Sequence, residues 1–429
     1  MTQAAFPRLP HMVAGTPSDP LMWADFHSLC DLGGRLAGSP SEASALAFAK
    51  ERLAAVPGAM VREDPVDYPG WHCRNAELTS ATSDIAFQCS PLIGTASTAG
   101  MAAEVLDLGL GRAQDFARHA NDIGGRIVMV RHEYPFAAAH VHRRIKLGWA
   151  QEMGAAGFLI AHQEPGVGPV SGSSGRSGGA GIPALGISAD GAAALQALLR
   201  ETRPTLRMRI DADDCRARTH MLIADLPGRG PDWIVVSAHI DGHPHGESAM
   251  DNATGVAVAL ALARLLAPHI GACPRGLRVC IFTAEEWGLI GSRLWLERMD
   301  ETARRSMRLN INLDSVAGAS GLTALTSIFE RLDAWVKESA ASAGLSIVTH
   351  LPLMTNSDHA NFAAHGIPAL RLIAGFNAPE SNLRFVLTGA DTRDKVRHDE
   401  LDDALRLATV LTWQALTAAD TTLSSLASR

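Results

Sequence analysis

Tyrosine is almost missing from this 429-residue sequence: there are two, Tyr68 and Tyr134, and all aromatics together make up 5%. A site that needs a phenolic hydroxyl therefore has two candidates to draw on. Cysteine is sparse as well. The six residues Cys30, Cys73, Cys89, Cys215, Cys273 and Cys280 form no CxxC pair. A chain of this size needs no covalent staples, so reduced and mostly buried thiols are expected. No run of Lys or Arg stands out and the net charge is −7, which argues against nucleic acid or an anionic membrane as partner. Long hydrophobic runs are lacking too. The most apolar stretch, GVAVALALARLLA from Gly255, is interrupted by Arg264 and is too short to span a bilayer. The opening MTQAAFPRLPHMVAG holds no apolar run of signal-peptide length. The expectation is a soluble, cytoplasmic protein.

What is present is globular. Hydrophobic residues make up 47% and charged residues 19%, enough for a sizeable core, and the length suggests two domains. Residues from about 20 to 56 read as helical, with SEASALAFAKERLAAV opening after Pro40 and Ser41 as N-cap. A strand-rich stretch runs to about 95. Between about 96 and 215 the character changes: a buried strand in GGRIVMVRH, a helix in HVHRRIKLGWAQEMGA, a strand in GFLIAH, then a Gly/Ser-dense surface loop in SGSSGRSGGAGIPALGIS. From about 218 strands alternate with helices. The strands are MLIADL, DWIVVSAH, LRVCIFTA, LNINLD and ALRLIA. That alternation predicts an α/β fold, a mostly parallel sheet sandwiched by helices, with the ligand site beyond the carboxyl ends of the strands.

Those strand ends carry chemistry. DWIVVSAH ends in His239, with Asp241 two residues on; SAMDNATG places Asp251 at a helix entry; LRVCIFTA runs into Glu285 and Glu286; LNINLD ends in Asp314. Carboxylates crowded at one edge repel one another and raise each other's pKa values unless a cation neutralises them. His with carboxylates suits Zn²⁺, and also Mn²⁺ or Co²⁺. Asp251 has two oxygens with which to bridge two ions. Asp241 stands where it can orient the other nitrogen of His239. Glu285, beside the ions without being a ligand, fits a general base that takes a proton from water.

The strings AHIDGH, SAMDNATG, AEEWGLIGS, LNINLD, SDHANF and GADTRDKV follow the order seen in the zinc aminopeptidase and glutamate-carboxypeptidase family of co-catalytic metallopeptidases, peptidase family twenty-eight, which this sequence resembles. RLAGSP, Arg35 to Pro40, resembles it too. The segment 96–215 looks like a protease-associated insert, judged by GGRIVMV and GIPALGIS, with 1–95 and 216–429 forming the catalytic domain. The resemblance implies that His239 and Asp314 bind one Zn²⁺, Glu286 another and Asp251 both, that Glu285 is the base, and that Asp241 is the orienting acid. The implied activity is aminopeptidase-like hydrolysis of a peptide or small amide bond.

One departure bears on this. In the resembled family the second ion's imidazole stands four residues before the Asp-Thr of the last motif. Here Asp391-Thr392 is present, but that position is Leu387. Three outcomes stay open: His359 or His398, or His243 or His245 from the loop, replaces it; one ion suffices; or the chain is a non-catalytic relative. Retention of Glu285 favours catalysis, and a non-peptide amidase or deaminase is the alternative activity. Neither tyrosine lies near the last motifs to stabilise an oxyanion. Arg371 and Arg384 are candidates to meet a substrate carboxylate.

Overall fold

The computed structural model describes residues 19–83, 85–176 and 178–428. The opening MTQAAFPRLPHMVAG, and with it the reading on a signal peptide, lies outside the described residues. The strands in chain order are β1 (Met60–Ser80), β2 (Ala86–Phe87), β3 (Cys89–Pro91), β4 (Thr98–Asp107), β5 (Ile127–Arg131), β6 (Gly157–Ala161), β7 (Ala184–Ile187), β8 (Thr205–Leu226), β9 (Trp233–His239), β10 (Gly276–Phe282), β11 (Met307–Leu313), β12 (Leu322–Leu325), β13 (Val348–His350) and β14 (Ala369–Ala374). One hydrogen-bonded path runs β13-β12-β14-β11-β9-β10-β8-β4-β5-β6-β7-β3, with β1 alongside β8.

The centre of the larger sheet is parallel: β10 with β9, β9 with β11, and β11 with β14. Antiparallel neighbours flank it, β8 beside β10 and β12 beside β14. The sheet is therefore mixed, with a parallel heart buried on both faces, as near-continuous apolar strands such as WIVVSA require. The apolar helix Thr254–Ile270 lies against it and is buried almost all round. By length and composition the helical stretch Ala249–Ile270 would pass for a membrane span, but most of it is enclosed in the core.

The connection between the two parts of the chain is a long ribbon. β1 and β8 pair antiparallel from Met60↔Asp225 to Ser80↔Leu206, with one irregularity between Cys73 and Asn75. One end of β8 pairs with β10 and the other with β4. Position 215 thus falls in the middle of a single strand. The smaller sheet branch has its own apolar cluster, in which Leu206, Met208, Ile210 and Ala212 of β8 meet Ile127, Met129, Leu159 and Leu185. The alternation of these four with exposed Arg207, Arg209, Asp211 and Asp213 is the period-two signature of a half-buried strand. The opposite faces of β5 and β6, through Val128, Val130, Phe158 and Ile160, join the main core.

Two local readings need correction. The helix expected to be capped by Ser41 is Pro40–Ala54, capped by Ser39, whose hydroxyl accepts the Glu42 amide at 3.2 Å. Pro40 takes the first helical position, where its missing N–H costs nothing. The Gly/Ser loop is also only half a surface loop. Residues 171–174 are buried and 178–180 exposed. Ser171 donates both its amide and its hydroxyl to the Leu387 carbonyl, at 2.7 and 2.9 Å.

Candidate metal centre

Each expected strand end delivers its residue to one cluster. His239 closes β9, Glu285 and Glu286 follow β10, and Asp314 follows β11. Asp251 enters from the turn before Thr254–Ile270, and all five are buried. Backbone strain sits at these exits: Ser248, Ala284 and Ser315, beside the site residues, have φ of 44, 53 and 59°. Non-glycine residues hold such angles only where their surroundings over-determine them. Here Ser315 donates its amide to Asn252 Oδ1 at 3.2 Å.

The ligand atoms converge. His239 Nε2 lies 3.1 Å from Asp251 Oδ1 and 3.5 Å from Asp314 Oδ1. One atom from each of His239, Asp251 and Glu286 falls within 4.8 Å of the others, and the same holds for His239, Glu285 and Asp314. Donors each about 2.0–2.2 Å from one ion can be at most roughly 4.4 Å apart, so both triads are close to the right size for a divalent cation. His239 Nε2 and Glu286 Oε1 are buried without a hydrogen-bond partner among the described residues. Orphaned acceptors facing a common point fit a cation, and the donor set fits zinc or a similar ion.

The electrostatics agree. Burial pushes Glu285 and Glu286 well above the usual carboxylate range, with the other's charge adding to it for Glu285 and that of Asp251 for Glu286. Burial works to lower His239, but Glu285 and Asp314 beside it raise it well above its usual value. Asp314 is also pushed up by burial, yet Arg371, His239 and the Ser357 hydroxyl together hold it below the usual range. A bound cation would take over the work that protons otherwise do here.

The surroundings assign roles that composition alone could not. His239 Nδ1 pairs with the main-chain carbonyl of Asp241 at 3.0 Å, while its distance to the Asp241 carboxylate is 3.8 Å. The carboxylate itself accepts the amides of Glu285 and Glu286. The ring thus meets the Asp241 carbonyl more closely than the carboxylate: the tight turn after β9 turns the carbonyl to the ring and the carboxylate to β10. Asp391 accepts the amides of Met250 at 2.8 Å and Asp251 at 3.3 Å. Arg35 of RLAGSP clamps the loop after β9 through the carbonyls of Ile240, Glu247 and Ser248.

The remaining candidates are sorted by position. His359 is fully buried, with neither ring nitrogen hydrogen-bonded and no carboxylate within 4.0 Å among the described residues. His398 is exposed and pairs with Asp402 at 3.1 Å, and His245 bonds Ser90 at 2.8 Å. His243 is buried, and its Nε2 stands 2.7 Å from Glu286 Oε1. Leu387 lines the pocket at a φ of 71°. Arg371 is held by Asp314, its Nη2 3.1 Å from Oδ1, and Arg384 packs on Phe385 with Glu164 3.7 Å away. Both arginines thus already have partners among the described residues. Tyr68 donates to the Ala37 carbonyl and Tyr134 to that of Gly375, so both serve the scaffold.

Sequence reasoning missed a different pair. Arg143 and Arg144, on the helix Arg143–Glu152, line the same pocket of about 410 Å³. Burial, then each other's charge, pushes Arg143 down to about 10, and Glu286, Glu285 and Asp251 pull the other way. Nothing in HVHRRIKLGWA says that its arginines line a pocket with carboxylates more than a hundred residues away in the chain.

Paired carboxylates and an imidazole at the carboxyl edge of a parallel sheet, with a buried glutamate beside them, define a class: the metal-dependent hydrolases of α/β architecture. Comparison with known proteins then narrows it. Residues 221–418 match Peptidase family M28 and residues 91–195 match the PA domain. Aminopeptidase YwaD of Bacillus subtilis is 26% identical over 346 residues, which is 79% of this chain and 72% of the relative. A probable leucine aminopeptidase 2 of Aspergillus fumigatus is 26% identical over 297 residues, 64% of this chain. The match spans little more than half of that relative, 56% of its length. The solved structure of BSAP, a zinc aminopeptidase from Bacillus subtilis, superposes with a TM-score of 0.74 at 23% identity, over 92% of this chain and 94% of that one. It shares the fold: a mixed sheet flanked by helices, with the PA-matched branch attached.

Proposed function

We propose that the chain removes amino-terminal residues from a small peptide, or cleaves a comparable amide, with zinc as its ordinary cofactor and Mn²⁺ or Co²⁺ as substitutes. His239, Asp314 and Asp251 would hold one ion, and Asp251 and Glu286 would contribute to a second. When bound, such ions acidify water and polarise the scissile carbonyl. Glu285 accepts the proton of the attacking water on its carboxylate and returns it to the departing amine. Asp241 fixes the main chain of both glutamates, and Asp391 that of Asp251. The observation that carries this reading is the buried convergence of His239, Asp251, Glu286 and Asp314, with Glu285 in the second of the two overlapping triads.

The substrate enters the pocket between the two sheet branches, where Arg144 is available to a carboxylate. The division into 1–95 with 216–429 and an insert at 96–215 is proposed with it, supported by the separate apolar cluster of the smaller branch. A cytoplasmic location is also proposed, supported by six cysteines that are all unpaired.

The test has two arms. Chelation should abolish hydrolysis of aminoacyl anilides, and Zn²⁺, Mn²⁺ or Co²⁺ should restore it. Glu285→Gln should keep its metal and lose turnover by about a hundredfold to ten-thousandfold. Full activity in metal-free protein sinks the reading, and loss of metal from Glu285→Gln would make that residue a ligand.

A further inference from the structure

Leu387 leaves the second ion short of a nitrogen. It stands where the resembled family has an imidazole, is 5% exposed, and offers no donor from its side chain. The gap is met from the opposite direction. His243 follows His239 by four residues on the loop after β9 and is 3% exposed. Its Nε2 approaches Glu286 Oε1 to 2.7 Å, yet Nε2, Nδ1 and that oxygen all lack hydrogen-bond geometry to any partner among the described residues. A cation held beside this close pair would satisfy both atoms. Glu286 in turn belongs to the triad with Asp251 and His239.

The loop is built to hold this ring. Arg35 fixes the carbonyls of Ile240, Glu247 and Ser248, and Ser248 Oγ accepts the His243 amide at 3.1 Å. Gly34 lets the clamp close: a Cβ there would stand 2.2 Å from the His243 carbonyl oxygen. The same loop packs on the Leu387 turn. Glu247 donates its amide to the Asp391 carbonyl at 2.9 Å, and a Cβ on Gly246 would meet the carbonyls of Asp391, Thr388 and Gly389 at 3.0–3.3 Å. The other three histidines are excluded by their places: His398 is exposed, His245 is bonded to Ser90, and His359 comes within 4.0 Å of no carboxylate among the described residues.

We propose that His243 is the imidazole ligand of the second ion, beside Glu286 and Asp251, in place of the position occupied by Leu387. This rests on the metal-hydrolase reading above and completes its second site as nitrogen plus two carboxylates, a set suited to zinc.

Metal content after gel filtration in metal-free buffer, and calorimetric titration of the stripped full chain with Zn²⁺, separate the outcomes. Wild type should bind two ions. His243→Ala should bind the first unchanged and weaken the second by more than about a hundredfold, since loss of a mere supporting hydrogen bond costs about ten- to a hundredfold. His359→Ala should match wild type. His243→Ala with Leu387→His should recover the second ion, because histidine tolerates the left-handed backbone at 387 better than leucine does. His243→Asn, a polar side chain in the same cavity, replaces the alanine variant if that one fails to fold. Two ions bound by His243→Ala with wild-type affinity overturn the proposal. So does a wild type that binds a single ion, which leaves the metal-hydrolase reading standing. A wild type that takes up no ion at all overturns both.

Discussion

Asp241 Oδ1 accepts the main-chain amide of Glu285 at 3.1 Å, so the proposed base is aimed by a carboxylate that touches neither its side chain nor a substrate. The companion oxygen, Oδ2, accepts the amide of Glu286 at 3.2 Å. One side chain thus sets the backbone of two neighbours with different jobs. Asparagine cannot reproduce this, because its amide nitrogen would meet an N–H donor. Asp241→Asn should lower both metal affinity and kcat, each by about ten- to a hundredfold. Metal titration and steady-state kinetics on the same preparation check this. Unchanged values for both would show that the turn after β10 holds its shape unaided.

Arg144 gives a prediction about binding. Its guanidinium lines the pocket, its Nε is buried without a partner, and no carboxylate stands within 4.0 Å among the described residues. A hydrogen bond to a charged group is worth about 1.5–3 kcal/mol, or roughly ten- to a hundredfold in affinity. Arg144→Gln should therefore raise KM for dipeptides by about tenfold or more and leave kcat within about twofold. The same dipeptides amidated at the carboxyl end should show little change. Equal losses on both substrates would remove Arg144 from substrate recognition.

The elements that the sequence made plain are those whose pattern is set by burial on one or both faces. DWIVVSAH and LRVCIFTA are mostly apolar, and LNINLD buries its two asparagines, because β9, β10 and β11 lie in the parallel heart of the sheet, and their polar ends mark its carboxyl edge. That is why the candidate residues at that edge could be picked out before any fold was known. The ribbon was harder. TLRMRIDADD alternates clearly, but the middle of β8 is exposed and lacks an apolar face, so the run does not read as one strand through Leu226. Which of the candidate imidazoles stands in for the one missing at Leu387 was not legible, for another reason. The HIDGH string offers two imidazoles, and only the clamp of Arg35 on that loop decides which way the second one faces. The approach of Arg143 and Arg144 depends on how the smaller branch packs back, which no local pattern encodes.

The last prediction concerns Glu42, at the start of helix Pro40–Ala54. Its carboxylate accepts the Gly38 amide at 2.6 Å and the Thr219 hydroxyl at 2.9 Å, and a third bond comes from Thr283. Burial, with the charge of Asp241 adding to it, nevertheless pushes its pKa up to about 7. A carboxyl whose folded value lies above its unfolded value of about 4.3 binds more protons in the folded state. Its contribution to stability is thus complete below about pH 4 and is lost as pH rises towards 7. Glu42→Gln removes this dependence, at the cost of a pH-independent loss, since an amide nitrogen cannot accept from the threonines. The stability of Glu42→Gln relative to wild type should therefore climb between about pH 4.5 and 7.5, by an amount on the order of 3 kcal/mol, and then level off. Denaturant melts of metal-free protein at half-unit pH steps would measure it. Parallel curves for the two proteins would mean that Glu42 is already ionised in the fold at pH 5, with its three hydrogen bonds outweighing burial.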